Sequence, residues 1–415
     1  MNPPASPAAP STPTPAAPAQ RLVSLDALRG FDMFWILGAD VVMQSLGRMS
    51  DAAPVQALAG QFEHKAWAGF AFYDLIFPLF VFIVGASVVF SLSRLVEREG
   101  RAGAVKRVLL RGALLYALGI FYSGGVTTAW PDIRLLGVLQ RIALAYTATG
   151  LLFCFLKPRA LAAVTVALLV GYWALLTFVP IRDFQLDKAA FPARLGTDKP
   201  TPAQVEAAFH ATTQRVTARY EPGLNLTNHL DYLYLGGRKY DTYYDPEGFL
   251  STLPAVATCL LGVFAGLLLR RTDLRDAQKI AWLAGGGVAA LVAGHLWGLQ
   301  FPVIKKIWTS SFVLVAGGWS LLLLAAFYYL VDVRQWRGWC QPFVWIGMNA
   351  ITLYVAANIA RPRTLAQRLA GGDVKSFFDA TLGAHAGNLV IAIVGLLLVV
   401  WLARFLHRRQ IFLRV

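Results

Sequence analysis

The sequence predicts an all-α, polytopic membrane protein of about ten transmembrane helices with both termini in the cytoplasm. Three observations carry this. Hydrophobic residues make up 57% of the chain and charged residues 15%, with a mean hydropathy of +0.54; soluble chains keep charges near a quarter. Apolar stretches long enough to cross a hydrocarbon core of about 30 Å recur along the whole length. Lys and Arg gather in alternate short loops, as the positive-inside rule requires.

Met1 to Gln20 is rich in Pro, Ala, Ser and Thr and carries no charge. It lacks the basic and apolar regions of a signal peptide and reads as a disordered tail, residues 1–20. The remainder, 21–415, reads as one membrane domain. Its apolar segments are Leu25–Leu46, Phe70–Leu92, Val108–Ser123, Leu135–Leu156 and Ala160–Val179, then Phe249–Leu269, Ile280–Leu299, Phe312–Val331, Phe343–Ala360 and Leu389–Leu406. Val108–Ser123 is short and counts as spanning because the charge alternation then works. With the N-terminus inside, Arg94, Arg98, Arg101, Lys106 and Arg107 are cytoplasmic, as are Arg270, Arg271, Arg275 and Lys279, and Arg408 and Arg409. The outside receives Arg48, Lys65, Lys305 and Lys306. The loop with Arg361, Arg363, Arg368 and Lys375 must also lie outside, against the rule.

The only sizeable extramembrane part is the loop 180–248, placed outside. Thr201-Pro202-Ala203-Gln204 has the form of a capping box with Pro at the first helical position. Val205, Phe209, Thr212 and Val216 follow at helical spacing, predicting a short amphipathic helix over the external face. No internal repeat is visible, although transporters often have one.

Three cysteines show no pairing or metal-ligand spacing. Walker A, HExxH and GxSxG patterns are absent, so metal and nucleotide-hydrolysis chemistry have no support. The net charge of +15 fits basic cytoplasmic loops rather than a nucleic-acid partner.

Charges inside the apolar segments are the functional signal, because ionisable groups in a bilayer face a partner or a cavity. Asp26, Arg29 and Asp32 are spaced i, i+3, i+6 on one stripe of the first segment. Asp40 lies 11 residues after Arg29, on the same face and about 16 Å along the axis. A structural ion pair of Arg29 with Asp26 or Asp32 is the plain alternative. Gln140-Arg141, with Arg134 a heptad earlier, and Arg111 could receive phosphates from the cytoplasm; snorkelling of Arg111 and ion pairing of Arg141 are the alternatives. Of six histidines, His295 reads as packed in a helix. His64 stands just outside the second segment with Asp74 ten residues on, facing whatever Asp40 faces.

Several ordered stretches carry a resemblance. They are Arg21-Leu22-Val23-Ser24-Leu25-Asp26-Ala27-Leu28-Arg29-Gly30, His64 to Phe70, Asp74 to Gly85, Leu136 to Ile142, Asp245 to Pro254, Lys305 to Phe312 and Ile346 to Asn349. This pattern resembles the heparan-α-glucosaminide N-acetyltransferase-like membrane proteins over nearly all of Arg21 to Ala360. The resemblance implies a transmembrane acyltransferase, a multi-pass protein of the bacterial inner membrane. It would carry the acetyl group of cytoplasmic acetyl-CoA to an amino sugar in the periplasm, with no metal. It also suggests a homodimer and the absence of the family's lumenal N-terminal domain and first membrane helix. The family's catalytic histidine falls on His64. Its companion asparagine falls on Asp40, a departure from the pattern.

The expected roles follow. His64 is the general base that deprotonates the acceptor amine, and Asp40 fixes its tautomer or stabilises its charged form. An acetyl-histidine intermediate is the alternative route. Arg29, Gln140 and Arg141, by resemblance, and Arg111, by position, contact the acetyl-CoA. Asp74, Lys306, Trp308 and Asn349 line the acceptor side, Trp308 by stacking on a sugar face. A secondary transporter of a sugar or amino sugar is the rival from another class, since buried charges suit it equally.

Overall fold

The computed structural model describes residues 22–127 and 129–412; the tail expected at 1–20 lies outside the described residues. The chain is mostly helical. Among the described residues, seven helices are long and apolar enough to cross a membrane, or eight if one bent pair forms a single span.

The first apolar segment is α1 (Val23–Phe34), a π-helical turn (Trp35–Ala39) and α2 (Asp40–Gly47). Gly38 breaks it at φ 130°, a backbone conformation closed to side-chain-bearing residues without strain. The N-terminus of α1 has no cap of its own. Asp332 supplies one, its two carboxylate oxygens accepting from Val23 N and Ser24 N at 3.2 Å each.

The expected second and third segments form one helical run, α3 (Phe72–Tyr122), interrupted at Gly100. The first half packs against α6 (Thr252–Arg270), the second against α4 (Val138–Phe155). The other spans are α5 (Pro158–Phe178), α7 (Asp276–Gly298) and α8 (Ser310–Phe327), the last with a π-helical extension. Then come α9 (Gln341–Met348) and α10 (Ala350–Ala360), which meet at 82°. Two short helices, α11 (Pro362–Ala370) and α12 (Asp373–Leu382), lead to the last span, α13 (Ala386–Arg408). Backbones of α1 and α9 touch: a Cβ on Gly30 would lie 1.6 Å from the Phe343 carbonyl oxygen. That close approach, common where small residues meet in membranes, brings Arg29 to the α9–α10 break.

The segment between α5 and α6 has a small core of its own, built on Phe184, Phe191, Val205 and Phe209. It contains a two-stranded antiparallel sheet (Ile181–Arg182 with Arg215–Val216) and the predicted capped helix, Pro202–Ala211. Thr201 Oγ1 accepts from Gln204 N, and Gln204 Oε1 accepts from Thr201 N at 2.8 Å. The helix stops at Ala211, so Val216 belongs to a strand rather than to the amphipathic face.

Candidate active site

The loop between α2 and α3 is tied to the loop between α7 and α8. Ala68 bridges Ile304, and Gly69 N donates to the Val303 carbonyl at 2.9 Å. This pairing sets Lys305 against His64, with Nζ at 3.0 Å from Nδ1 and 3.1 Å from Nε2. Asp74, in the first turn of α3, meets the ring at Nδ1 and lies beside Lys305. Its Oδ1 is 2.9 Å from His64 Nδ1 and 3.6 Å from Lys305 Nζ. Its Oδ2 accepts from Ala71 N at 3.1 Å and Lys65 N at 3.3 Å. The Asp74 side chain is 1% exposed and that of His64 50%, so a held carboxylate carries an accessible imidazole. Burial pulls the Lys305 ammonium down to about 8, with Asp74 working in the opposite direction.

Asp40 does not take the role expected of it. Its Oδ2 accepts from the Tyr73 hydroxyl at 2.9 Å, and the Tyr73 ring packs 4.7 Å from the His64 ring. Asp74 rather than Asp40 holds His64, because the first turn of α3 points its carboxylate at Nδ1 while Tyr73 comes between Asp40 and the imidazole. An ionised carboxylate only accepts, so Nδ1 carries the hydrogen and Nε2 offers its lone pair.

At the other end of α1 a cavity of about 460 Å³ is lined by Arg29, Arg94, Arg107, Arg111, Tyr146 and Asn349. Arg29 donates to Ser87 Oγ at 2.6 Å and Asp26 Oδ1 at 3.2 Å, and Arg111 lies over the Tyr146 ring. Four guanidiniums at one cavity form a site for a polyanion. Arg94 and Arg107 went unnoticed as site residues because they read as loop charges; the i, i+4 relation of Arg107 to Arg111 was the available signal.

A second cavity, of about 390 Å³, is lined by Asp40, Asn358, Arg361 and Arg363 among apolar residues. Between the two lies an apolar neck of about 20 Å³ walled by Met33, Ile36, Phe77, Phe80, Ile142 and Tyr354. It shares Phe80 and Ile351 with the first cavity and Ile36 and Tyr354 with the second. The polar face expected from Arg29 to Asp40 therefore opens on two charged cavities, with an apolar constriction between them that has room for about one water.

The remaining site residues fall elsewhere. Gln140 and Arg141 stand in the first turn of α4, away from the arginine cavity. Arg141 donates to Ser251 Oγ and packs over the Trp308 ring at 4.9 Å to its centroid. Arg134 forks onto Asp245 at 2.7 and 2.9 Å and reaches Glu247 at 2.8 Å. These arginines thus meet the acidic turn before α6, because α4 runs with its N-terminal end toward that turn. Trp308 is 1% exposed, with Nε1 donating to Thr258 at 3.1 Å; Arg141 lies over its ring and Phe77 meets it edge-on, so a sugar has no access to it. Asn349 lines the arginine cavity, not the His64 side, since the α9–α10 break folds it against α1. Lys306 pairs with Asp241 at 3.0 Å. Asp32 is fully buried, and neither carboxylate oxygen has a hydrogen-bond partner among the described residues. No group of His, Cys, Asp and Glu among the described residues could hold a metal ion.

Fold and site define a polytopic membrane protein with charged cavities at the two ends of one helix and a histidine–carboxylate–lysine cluster beyond the second. A family model described as heparan-alpha-glucosaminide N-acetyltransferase, catalytic, matches residues 21–192. The mouse heparan-alpha-glucosaminide N-acetyltransferase is 27% identical over 396 residues, covering 85% of this chain and 56% of the relative. The human protein of the same name is 27% identical over 394 residues, with the same coverage. The chain spans about half the length of the curated relatives it matches. The chain is thus similar to heparan-α-glucosaminide N-acetyltransferases, with the family model confined to its first half.

Proposed function

We propose that the protein is an acetyl-CoA-dependent transmembrane N-acetyltransferase. It moves an acetyl group from the cytoplasmic side of a bacterial inner membrane to an amino sugar of the glucosamine type on the periplasmic side. The observation that carries the reading is the His64–Asp74–Lys305 cluster, at the opposite end of the first membrane helix from the arginine cavity. In this topology of about ten spans, the Arg29 end faces the cytoplasm and receives the phosphates of the donor through Arg29, Arg94, Arg107 and Arg111. Residues 21–415 act as one acyltransferase domain, with 180–248 as its periplasmic loop.

His64 Nε2 takes the proton of the acceptor amine as its nitrogen attacks the thioester carbonyl carbon. Asp74 holds the imidazole by Nδ1 and stabilises the imidazolium that forms. When the tetrahedral intermediate collapses, the carbon–sulfur bond breaks and His64 returns the proton to the departing thiolate. Lys305, at 3.1 Å from Nε2, occupies the acceptor's position and must swing aside as the amine enters. Asp40, through Tyr73, fixes the second edge of the imidazole pocket.

The test is purified full-length protein in detergent, given acetyl-CoA and a panel of amino sugars, with free CoA and N-acetyl product measured together. Equal release of both supports the reading. Accumulation of sugar across a proteoliposome membrane without CoA release would establish the transporter instead.

A further inference from the structure

The second cavity has a composition that the acetyl-transfer chemistry does not require. Its walls include Ile36, Val41, Ile391 and Leu396, from the first helix run and from α13. At its mouth stand Arg361 and Arg363, both exposed. No carboxylate among the described residues pairs with either guanidinium, whereas Lys375, in the same loop, pairs with Asp379 at 2.5 Å.

The depth of this mouth in the bilayer follows from its neighbours. Helix α11 packs Ala366 and Ala370 against Ile391 near the start of α13. Its Leu365 and Leu369, and Phe377 and Leu382 of α12, remain exposed. Short helices that turn apolar side chains outward at the end of a span lie in the membrane interface. Arg361 and Arg363 therefore sit at headgroup level, with an apolar slot running inward from them. Both are basic residues on the face where the positive-inside bias disfavours them. Arg361 also holds a left-handed backbone at φ 45°, fixed by Arg361 N donating to Ala357 O at 3.0 Å and Thr364 N donating to Arg361 O at 2.8 Å. Strain of that kind persists where the surroundings impose it.

We propose that this cavity binds a long-chain lipid phosphate, the phosphate between Arg361 and Arg363 and the hydrocarbon along Ile36, Val41, Ile391 and Leu396. The amino sugar would then reach the active site on a lipid carrier drawn from the bilayer. That identity of the acceptor rests on the acetyl-transfer reading; the lipid-phosphate site stands on the cavity alone.

The experiment uses geranylgeranyl monophosphate as probe, titrated into full-length protein in detergent and followed by native mass spectrometry. Saturable binding is expected, weakened about 10-fold or more in Arg361→Ala and in Arg363→Ala, as for loss of a charged hydrogen-bond donor. Arg363→Lys should recover part of it, and Arg368→Ala, on the same helix, should bind as the parent does. Equal binding of geranylgeraniol overturns the proposal, as does unchanged affinity in the arginine variants. Displacement by inorganic phosphate at the same concentration reduces the site to a plain anion site, and displacement by phosphatidylglycerol to an annular one; either sinks it. In a second arm, CoA release is compared for glucosamine on a lipid phosphate and for free glucosamine. Probe binding with no CoA release from either keeps the site and removes acetyl transfer. CoA release from free glucosamine alone, unchanged in the arginine variants, keeps acetyl transfer and removes the lipid carrier.

Discussion

The two ends of the first helix run solve different problems with the same residue types. At the Arg29 end, four guanidiniums converge on one open cavity with one carboxylate, Asp26, among its lining side chains. At the far end, every group near the chemistry is bound to another: Asp74 to His64, Lys305 to both, Asp40 to Tyr73. A surplus of charge suits binding a polyanion, whose own charge completes it. A balanced, hydrogen-bonded cluster suits proton transfer, where geometry and protonation state decide the rate.

That contrast can be broken by substitutions that should affect one end and spare the other. His64→Ala should lower turnover by about 10²- to 10⁴-fold, the range for loss of a general base, while acetyl-CoA affinity, measured by equilibrium dialysis, stays unchanged. If affinity fell as steeply as turnover, the two ends would be a single site. Asp74→Asn should cost up to about 10⁴-fold in kcat, with the KM for acetyl-CoA preserved, because an amide no longer dictates which ring nitrogen carries the hydrogen. Arg29→Ala should act in the opposite sense, raising the KM for acetyl-CoA about 10-fold and leaving kcat within a few-fold.

Smaller effects sharpen the picture. Lys305 is an ammonium below about pH 8 and neutral above it. The ammonium donates to His64 and blocks Nε2, so kcat/KM should rise as the pH passes upward through about 8. In Lys305→Met that part of the rise should vanish. The acceptor's own amine titrates in both profiles, so their difference reports Lys305 alone. The smallest change is expected for Asp40→Asn, a loss of only a few-fold, since an amide oxygen still accepts from the Tyr73 hydroxyl. Inactivity as complete as that of His64→Ala would reassign Asp40 to the chemistry.

Helical architecture, the polar stripe of the first helix and the capped helix at Pro202 were legible in the sequence because each follows from local periodicity or a short capping pattern, whereas the break at Gly38 was not. His64 and Asp74 were both visible, but not their pairing. It depends on the loop conformation between Phe62 and Ala71, which no periodicity fixes. Lys305 lies 241 residues from His64, and the pairing of Ala68 and Gly69 with Val303 and Ile304 brings them together. Trp308 looked like a sugar platform because its burial under Arg141 is a tertiary fact. Arg141 looked like a phosphate ligand by resemblance, although the charge alternation already set the start of the fourth segment outside, on the side of the loop that ends at the acidic turn Asp245–Glu247. The two spans on either side of Gly100 were legible as separate segments, but the helix that continues through residues 94–107 was not, because the charges there read as a loop.

Gly38 gives the molecule a mechanical property beyond its chemistry. The residue joins two rods, one packed backbone to backbone on α9, the other resting on α13, and the narrowest part of the path, at Ile36, lies within two residues of the joint. Only glycine holds that backbone without strain, so the angle between the rods, and with it the width of the path at Ile36, is fixed at one residue. Gly38→Ala should therefore lower turnover although it touches no reacting group.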